Sequence, residues 1–204
     1  MKRFFFILLL PFVLLVFSVG DARAQPRNEI RRIDAESRRI DAFAKKNERA
    51  KLFFADVSTE AGRPRWRRFA SEEELERFRE TADLDTVALA WRQRGRLVHA
   101  LFSLSSESGD WARYDAYYYR ADGSLAKISS ELRTFYGNLV VLRDFYFDRR
   151  GKLLKKRVRY RDLNTGKSVP KPESDFLDRE IKIYRRIGQL PFARLIPKTG
   201  KKTN

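Results

Sequence analysis

Cysteine is missing from this sequence, and histidine and methionine each occur once. Without cysteine the chain has no disulfide, no thiolate nucleophile and no cysteine-bound zinc. The HExxH, Walker A, GxGxxG and Gly-x-Ser-x-Gly patterns are absent as well. His99, the single histidine, lies in a strand pattern and is predicted to be a core residue. We therefore expect no metal, no cofactor and no catalytic residue, although a pair of carboxylates can assemble without a sequence signature.

Residues 1–24 have the pattern of a secretory signal peptide. Lys2 and Arg3 precede an apolar run over residues 4–19, and Ala22-Arg23-Ala24 supplies a cleavage site. The run is shorter than the roughly 20 residues that span a bilayer, and Pro11 interrupts it. We therefore predict cleavage after Ala24, export to the periplasm or the medium, and no transmembrane segment in the mature chain.

The mature chain is basic and long enough for one domain. Without the three cations and one acid of the predicted signal peptide, its net charge falls from +17 to +15. A composition of 43% hydrophobic and 13% aromatic residues is globular. We expect one domain over residues 25–195 and a basic disordered tail at 196–204. The charge favours an anionic lipid, a glycolipid or an acidic protein as partner, whereas nucleic acid is not expected for an exported chain.

Two amphipathic helices are predicted before the main sheet. The first covers residues 28–50, and four apolar residues share one of its faces: Ile30, Ile33, Ile40 and Phe43. The motif Arg-Arg-Ile-Asp-Ala occurs there twice, at 31–35 and 38–42, with its arginines toward solvent. Ser71 and Glu74 form a capping box for a second, shorter helix that ends near residue 81. Between the helices the pattern indicates a short strand at 51–57 and a loop at 61–68.

A 28-residue repeat dominates the middle of the chain. Gly95, Gly123 and Gly151 each begin a Gly-x-Leu triplet flanked by strand-like residues. A three-residue hairpin loop needs positive φ at its last residue, which glycine adopts without steric cost. The repeat therefore predicts three hairpins of a curved antiparallel meander, half-open toward a barrel, with strands at 86–92, 96–104, 112–120, 124–133, 138–148 and 152–161. With the helices against one face, the fold class is α+β.

The C-terminal stretch has two interpretations. The predicted element is a helix from Asp175 to Ile187, with Ser174 as its N-cap and Gly188 as its stop. The alternation from Glu180 to Tyr184 also fits a strand.

The third hairpin carries the candidate binding residues. With Arg149, Arg150 and Gly151 in its loop, the predicted register sets Arg143 against Arg157, and like charges in that position destabilise a sheet. From residue 149 to 161 there are eight cations and no acid. The compensating negative charge comes either from helix acids at 72–76 or from an anionic ligand. The candidate ligand-binding residues, which combine cations with aromatic rings, are Arg143, Phe145, Phe147, Lys155, Arg157, Arg159 and Arg161.

Three functional hypotheses follow. The first is a non-enzymatic envelope protein that binds an anionic amphiphile or polymer on this basic–aromatic sheet face. The second is an adaptor or assembly factor that docks its arginine-rich first helix onto an acidic protein. The third is a hydrolase that uses a carboxylate pair.

Overall fold

The computed structural model describes residues 24–58, 63–173 and 180–197. The predicted signal peptide, apart from Ala24, and the predicted tail from residue 198 onward lie outside the described residues. Two α-helices and eight β-strands occur in the described chain: α1 Ala24–Lys46, β1 Lys51–Asp56, β2 Trp66–Phe69, α2 Glu72–Arg79, β3 Thr86–Gln93, β4 Arg96–Ser105, β5 Trp111–Tyr119, β6 Leu125–Thr134, β7 Leu139–Phe147 and β8 Leu153–Asp162. Short 3₁₀ turns occupy Glu48–Ala50, Ile187–Gln189 and Ala193–Leu195.

The strands form one open antiparallel sheet in the order β2-β1-β3-β4-β5-β6-β7-β8. Strands β3 to β8 are the predicted six-stranded meander, and the α+β class is confirmed. The predicted strand count was wrong, because β1 and β2 extend the sheet beyond β3. Residues 66–68, predicted as part of a loop, belong to β2, which pairs with β1 so that Phe69 lies opposite Phe53. The sheet does not close, since β2 and β8 lie at its two edges.

The repeat glycines have the conformation that the turns require. Gly95, Gly123 and Gly151 have φ values of 79°, 76° and 82°. The second and third turns have three-residue loops, as predicted, closed by hydrogen bonds such as Gly151 N–H to Asp148 O at 3.1 Å. The first turn is tighter: β3 ends at Gln93 and β4 begins at Arg96, so Arg94 also adopts positive φ, 49°. All three turns lie at the same end of the sheet.

The sheet buries both of its faces. On one side, the helix face, Ile33 of α1 packs with Tyr146, and Leu75 of α2 packs with Phe53. Both helices lie on this face, but their arrangement differs from the prediction, because α2 packs mainly against β1 and β2, outside the predicted meander. The opposite side, the strap face, is covered by residues 180–197, which we call the C-terminal strap. Phe192 of the strap is fully buried against Phe54, with ring centroids 4.2 Å apart.

The predicted C-terminal helix is wrong over residues 180–186, while residues 174–179 lie outside the described chain. The strap is extended there because its backbone hydrogen-bonds to the sheet instead of to itself. The Tyr117 hydroxyl donates to Lys182 O at 2.7 Å, and the Tyr119 hydroxyl donates to Tyr184 O at 3.2 Å. Leu125 N–H donates to Arg185 O at 3.0 Å. The alternative strand over 180–184 is not formed either, since these residues belong to neither a helix nor a strand.

Candidate functional site

The seven-residue repeat of α1 docks the helix onto the sheet. Ile33 and Ile40 are both buried, 4% exposed, because residues seven apart share one helical face. The aspartate that follows each isoleucine accepts a hydrogen bond from a sheet tyrosine. Asp34 accepts from the Tyr146 hydroxyl at 2.9 Å, and Asp41 accepts from Tyr118 at 2.8 Å. The repeat therefore fixes the position of α1 over β5 to β7.

A cleft of about 680 Å³ lies between α1 and the turn end of the sheet. Its apolar lining comes from the helix and from neighbouring strands, and includes Ile33, Ile40, Val98, Tyr118 and Ala126. Its cationic lining consists of Arg32, Arg94, Arg96, Arg120 and Arg149. Glu36 is the one carboxylate among its described lining residues. We call this feature the arginine cleft.

Arg120 of this cleft is committed to the protein backbone. Its guanidinium donates to Leu125 O at 2.7 Å and to Phe147 O, and it lies 3.5 Å from Glu29. Burial lowers the pKa of Arg120, and Glu29 opposes this effect. Arg120 thus joins two hairpin turns and has few donors left for a ligand.

Arg94 and Arg96 are different, because both are exposed and neither side chain has a hydrogen-bond or ion-pair partner among the described residues. Arg32 and Arg149 are intermediate cases. Each has a side chain that is 66% exposed, and each forms one ion pair of marginal length. Arg32 Nη2 lies 3.3 Å from Glu29 Oε1, and Arg149 Nη1 lies 3.4 Å from Asp122 Oδ2. The cleft therefore presents two uncommitted guanidinium groups and two weakly paired ones above an apolar floor.

The predicted basic–aromatic face is not assembled, because the register of the third hairpin was wrong. Phe147 does lie opposite Leu153, but a bulge follows and shifts every later pair by one residue. Arg143 lies opposite Val158 instead of Arg157, and Arg157 lies opposite Asp144. A shift of one residue moves a strand's side chains to the other face.

The candidate residues consequently lie on two faces. Arg143, Phe145 and Phe147 point to the strap face, where Arg143 is 5% and Phe147 1% exposed. The other four are on the helix face of β8, in register with Tyr146, Asp144, Leu142 and Val140: Lys155, Arg157, Arg159 and Arg161. No single ligand of modest size can contact both groups through the sheet.

The charge compensation expected for β8 comes from the neighbouring strand, not from the helix acids at 72–76. Asp144 Oδ2 lies 3.1 Å from Arg159 Nη2 and 3.8 Å from Arg157 Nη1, and Asp144 Oδ1 lies 3.5 Å from Lys127 Nζ. The acids of α2 are paired elsewhere: Glu72 with Lys51, Glu74 with Arg67 and Glu76 with Arg79. Asp144 could not be recognised from the sequence as the partner of Arg157 and Arg159, because the bulge that aligns these residues is not visible there.

His99 is a core residue, as predicted. Its ring stacks between Trp91 and Tyr118, with centroid distances of 5.1 and 4.8 Å, and its Nδ1 lies 3.1 Å from Tyr117 O. Burial lowers the pKa of His99, while the Tyr117 carbonyl and the Asp41 carboxylate oppose that effect. Burial beneath α1 therefore favours the neutral form of the imidazole.

The strap face also holds a buried ion pair that the sequence pattern does not predict. Arg113 Nε lies 3.0 Å from Asp115 Oδ2 on β5, and an Arg113 amino group donates to Glu180 O at 3.3 Å. Burial raises the pKa of Asp115, and Arg113 opposes this effect. Charged residues two apart on a strand are the available signal, but they do not reveal that a strap covers them. The pair attaches the strap to the sheet.

Within residues 24–58, 63–173 and 180–197, no three acidic or histidine side chains come together as a metal site. The helices of the same described part lack the length and apolar character needed to cross a bilayer. Comparison with protein-family models, with curated proteins and with solved structures finds no match to this chain.

Proposed function

We propose that this is an exported binding protein that holds an anionic amphiphile, such as an anionic lipid or glycolipid, in the arginine cleft. The observation that carries the proposal is the pair Arg94 and Arg96, two exposed guanidinium groups without a described partner beside an apolar floor. Guanidinium groups bind phosphate and carboxylate through two parallel hydrogen bonds. An apolar chain of the same ligand would lie along half-buried Val98 and the small exposed parts of Ile33 and Ile40.

The size and chemistry of the cleft support one small amphiphile. Ligand pockets of proteins usually enclose about 300 to 1,000 Å³ and combine apolar walls with a few polar groups. The arginine cleft has about 680 Å³ and matches that description. Export is supported by the signal-peptide pattern of residues 1–24, and it would bring the protein to anionic envelope lipids.

The backbone of Arg94 adds support. A residue other than glycine pays for positive φ with steric strain of about 1 kcal/mol or more, and Asn or Gly is preferred in a tight hairpin turn. Arg94 adopts φ 49° and is exposed. Its side chain is therefore kept at the cleft despite a conformational cost, which is typical of residues at binding sites.

The carboxylate-pair hydrolase has less support from this geometry. Glu36 is the one acid among the described lining residues of the cleft, and it lies 3.4 Å from Arg39. General acid–base hydrolysis of a glycosidic bond requires two carboxyl groups that face each other. The cleft therefore supports binding better than this chemistry.

The test is isothermal titration of the mature chain with monomeric lysophosphatidylglycerol and with lysophosphatidylcholine. We expect binding of the anionic lipid, and affinity at least about tenfold lower for Arg94→Ser/Arg96→Ser, because each charge-assisted hydrogen bond contributes about 1.5–3 kcal/mol. Equal affinity for the zwitterionic lipid, or unchanged affinity of the double variant, would contradict the proposal.

A matched control is available on the outer face of α1. Arg31 and Arg38 are exposed residues of α1, and Arg31→Ser/Arg38→Ser removes two positive charges, as Arg94→Ser/Arg96→Ser does, without changing a residue that lines the cleft. We expect this control to bind lipid like the wild type. The control also addresses the adaptor hypothesis, because a docking helix would lose its acidic protein partner in this variant and keep it in Arg94→Ser/Arg96→Ser.

A further inference from the structure

The two edges of the sheet are protected in different ways. β2 is only four residues long, and a short strand offers few backbone groups to an added strand. β8 is ten residues long and is paired on its outer side only near its end, where Arg161 bridges to Ser168. Among the described residues, the outer edge from Lys156 to Arg159 has no strand beside it.

The backbone direction along β8 can be read from one hydrogen bond. Val169 N–H donates to Tyr160 O at 3.1 Å, so the carbonyl of Tyr160 points away from β7. In an antiparallel strand, the N–H and C=O groups of every second residue point to the same side. The N–H groups of Lys156 and Val158 therefore also point outward, available for another strand.

The side chains of β8 alternate in chemistry along the same edge. Those on the helix face are all cations, spaced by about 7 Å: Lys155, Arg157, Arg159 and Arg161. Those on the strap face are Lys156, followed by the apolar Val158 and the aromatic Tyr160. Asp144 neutralises part of this charge, but it is one carboxylate beside Arg157 and Arg159.

We propose that the outer edge of β8 binds an extended acidic segment of another protein as a ninth strand. The segment would carry Asp or Glu at every second position, opposite the cations, and apolar residues between them, opposite Val158 and Tyr160. Strand addition of this kind takes its affinity from main-chain hydrogen bonds and its specificity from alternate side chains. A second copy of β8 is disfavoured, because it would place cations against cations. The inference is independent of the arginine cleft.

The experiment is fluorescence anisotropy with two labelled peptides of about eight residues, the length of an ordinary strand. One alternates Glu and Val, and the other has the same composition with the glutamates in one block. We expect the alternating peptide to bind at least about tenfold more tightly, because only it matches the period of two along β8. Equal binding of both peptides would overturn the proposal, since it would show charge attraction alone.

Val158→Pro tests the backbone contact, because proline removes the outward N–H. We expect it to weaken binding of the alternating peptide at least about tenfold, while the control Val158→Thr, which keeps the N–H, binds like the wild type.

Should Val158→Pro fail to fold, amide exchange of the wild type tests the same backbone contact. The alternating peptide is expected to slow exchange at Lys156 and Val158 at least about tenfold, and unchanged exchange at a saturating concentration would overturn the proposal. Arg94→Ser/Arg96→Ser is expected to bind the peptide normally.

Discussion

The Tyr146 hydroxyl donates a hydrogen bond to Asp34 Oδ1 at 2.9 Å, and this contact joins the hairpin repeat of the sheet to the seven-residue repeat of α1. Tyr118, 28 residues earlier in the sheet, donates in the same way to Asp41, seven residues later in the helix. Two copies of the hairpin repeat thus bind two copies of the helical repeat. The arginine cleft owes its position to this docking, because α1 forms one of its walls.

We predict that Asp34→Ala lowers the free energy of unfolding by about 1–3 kcal/mol, because it leaves the Tyr146 hydroxyl without its acceptor and Lys127 with only the longer ion pair to Asp144. Lys127 Nζ lies 2.8 Å from Asp34. A double-mutant cycle with Tyr146→Phe, measured by chemical denaturation, should give a coupling energy of at least about 0.5 kcal/mol.

The control for this cycle is Asp83→Ala, an exposed aspartate for which the described chain shows no ion pair. It should change stability by less than about 0.5 kcal/mol. Additive effects of Asp34→Ala and Tyr146→Phe would contradict the docking role of the pair.

Arg94→Asn should stabilise the fold and weaken the ligand at the same time. Asn-Gly is the favoured sequence of a two-residue hairpin turn, so the substitution relieves the cost of positive φ at residue 94 and raises the free energy of unfolding by about 0.5–1 kcal/mol. Thermal denaturation checks the first effect, and lysophosphatidylglycerol titration checks the second. Loss of stability together with unchanged binding would mean that Arg94 serves the turn and not the cleft.

The meander was predictable because its signals are local. Gly-x-Leu at Gly95, Gly123 and Gly151 marks turns that need positive φ, and the flanking residues have strand propensity. The strap was not predictable, since Tyr117 and Tyr119 hold it extended from 65 residues away in the sequence. Over residues 180–186, these hydrogen bonds to the sheet outweigh the helical propensity of the sequence.

The candidate site shows a sharper limit. One bulge beside Phe147 places every β8 side chain from Lys155 onward on the face opposite to the predicted one. No residue in the sequence indicates that this bulge is present. The cleft arginines were visible only indirectly. Arg94 occupies a turn position where Asn or Gly is usual. An arginine at such a position is the sequence feature that could have indicated a binding role.

Acidification should destabilise the protein through His99. Burial depresses the pKa of His99 in the fold below the value of about 6.5 expected for the unfolded chain. Below pH 6.5 the unfolded state therefore takes up a proton that the fold does not, so stability falls as pH drops toward the folded pKa, by up to about 1.4 kcal/mol per pH unit.

Chemical denaturation at about pH 7.5 and about pH 5.5 checks this effect, with His99→Phe as the comparison because it keeps an aromatic ring between Trp91 and Tyr118. The wild type should lose more stability than the variant between the two conditions. Parallel losses in both proteins would show that His99 does not titrate in this way.

The strap should contribute a large part of the core. Phe192 is fully buried and contacts Phe54, Trp66 and Phe102 through its ring. Phe192→Ala should lower the free energy of unfolding by about 3–5 kcal/mol, because it removes a buried ring and leaves a cavity. Exposed Phe135, at 72% exposure, is the matched control, and Phe135→Ala should cost less than about 1 kcal/mol. A small loss for Phe192→Ala would mean that the strap is only loosely attached.

The most direct test of the proposed function is native mass spectrometry of the protein purified gently from the exported fraction, with Arg94→Ser/Arg96→Ser prepared in parallel. We predict that the wild type carries a discrete added mass, that organic extraction removes it as an anionic amphiphile, and that the double variant lacks it. A wild type at its bare mass, or the same adduct on both proteins, would contradict binding in the arginine cleft.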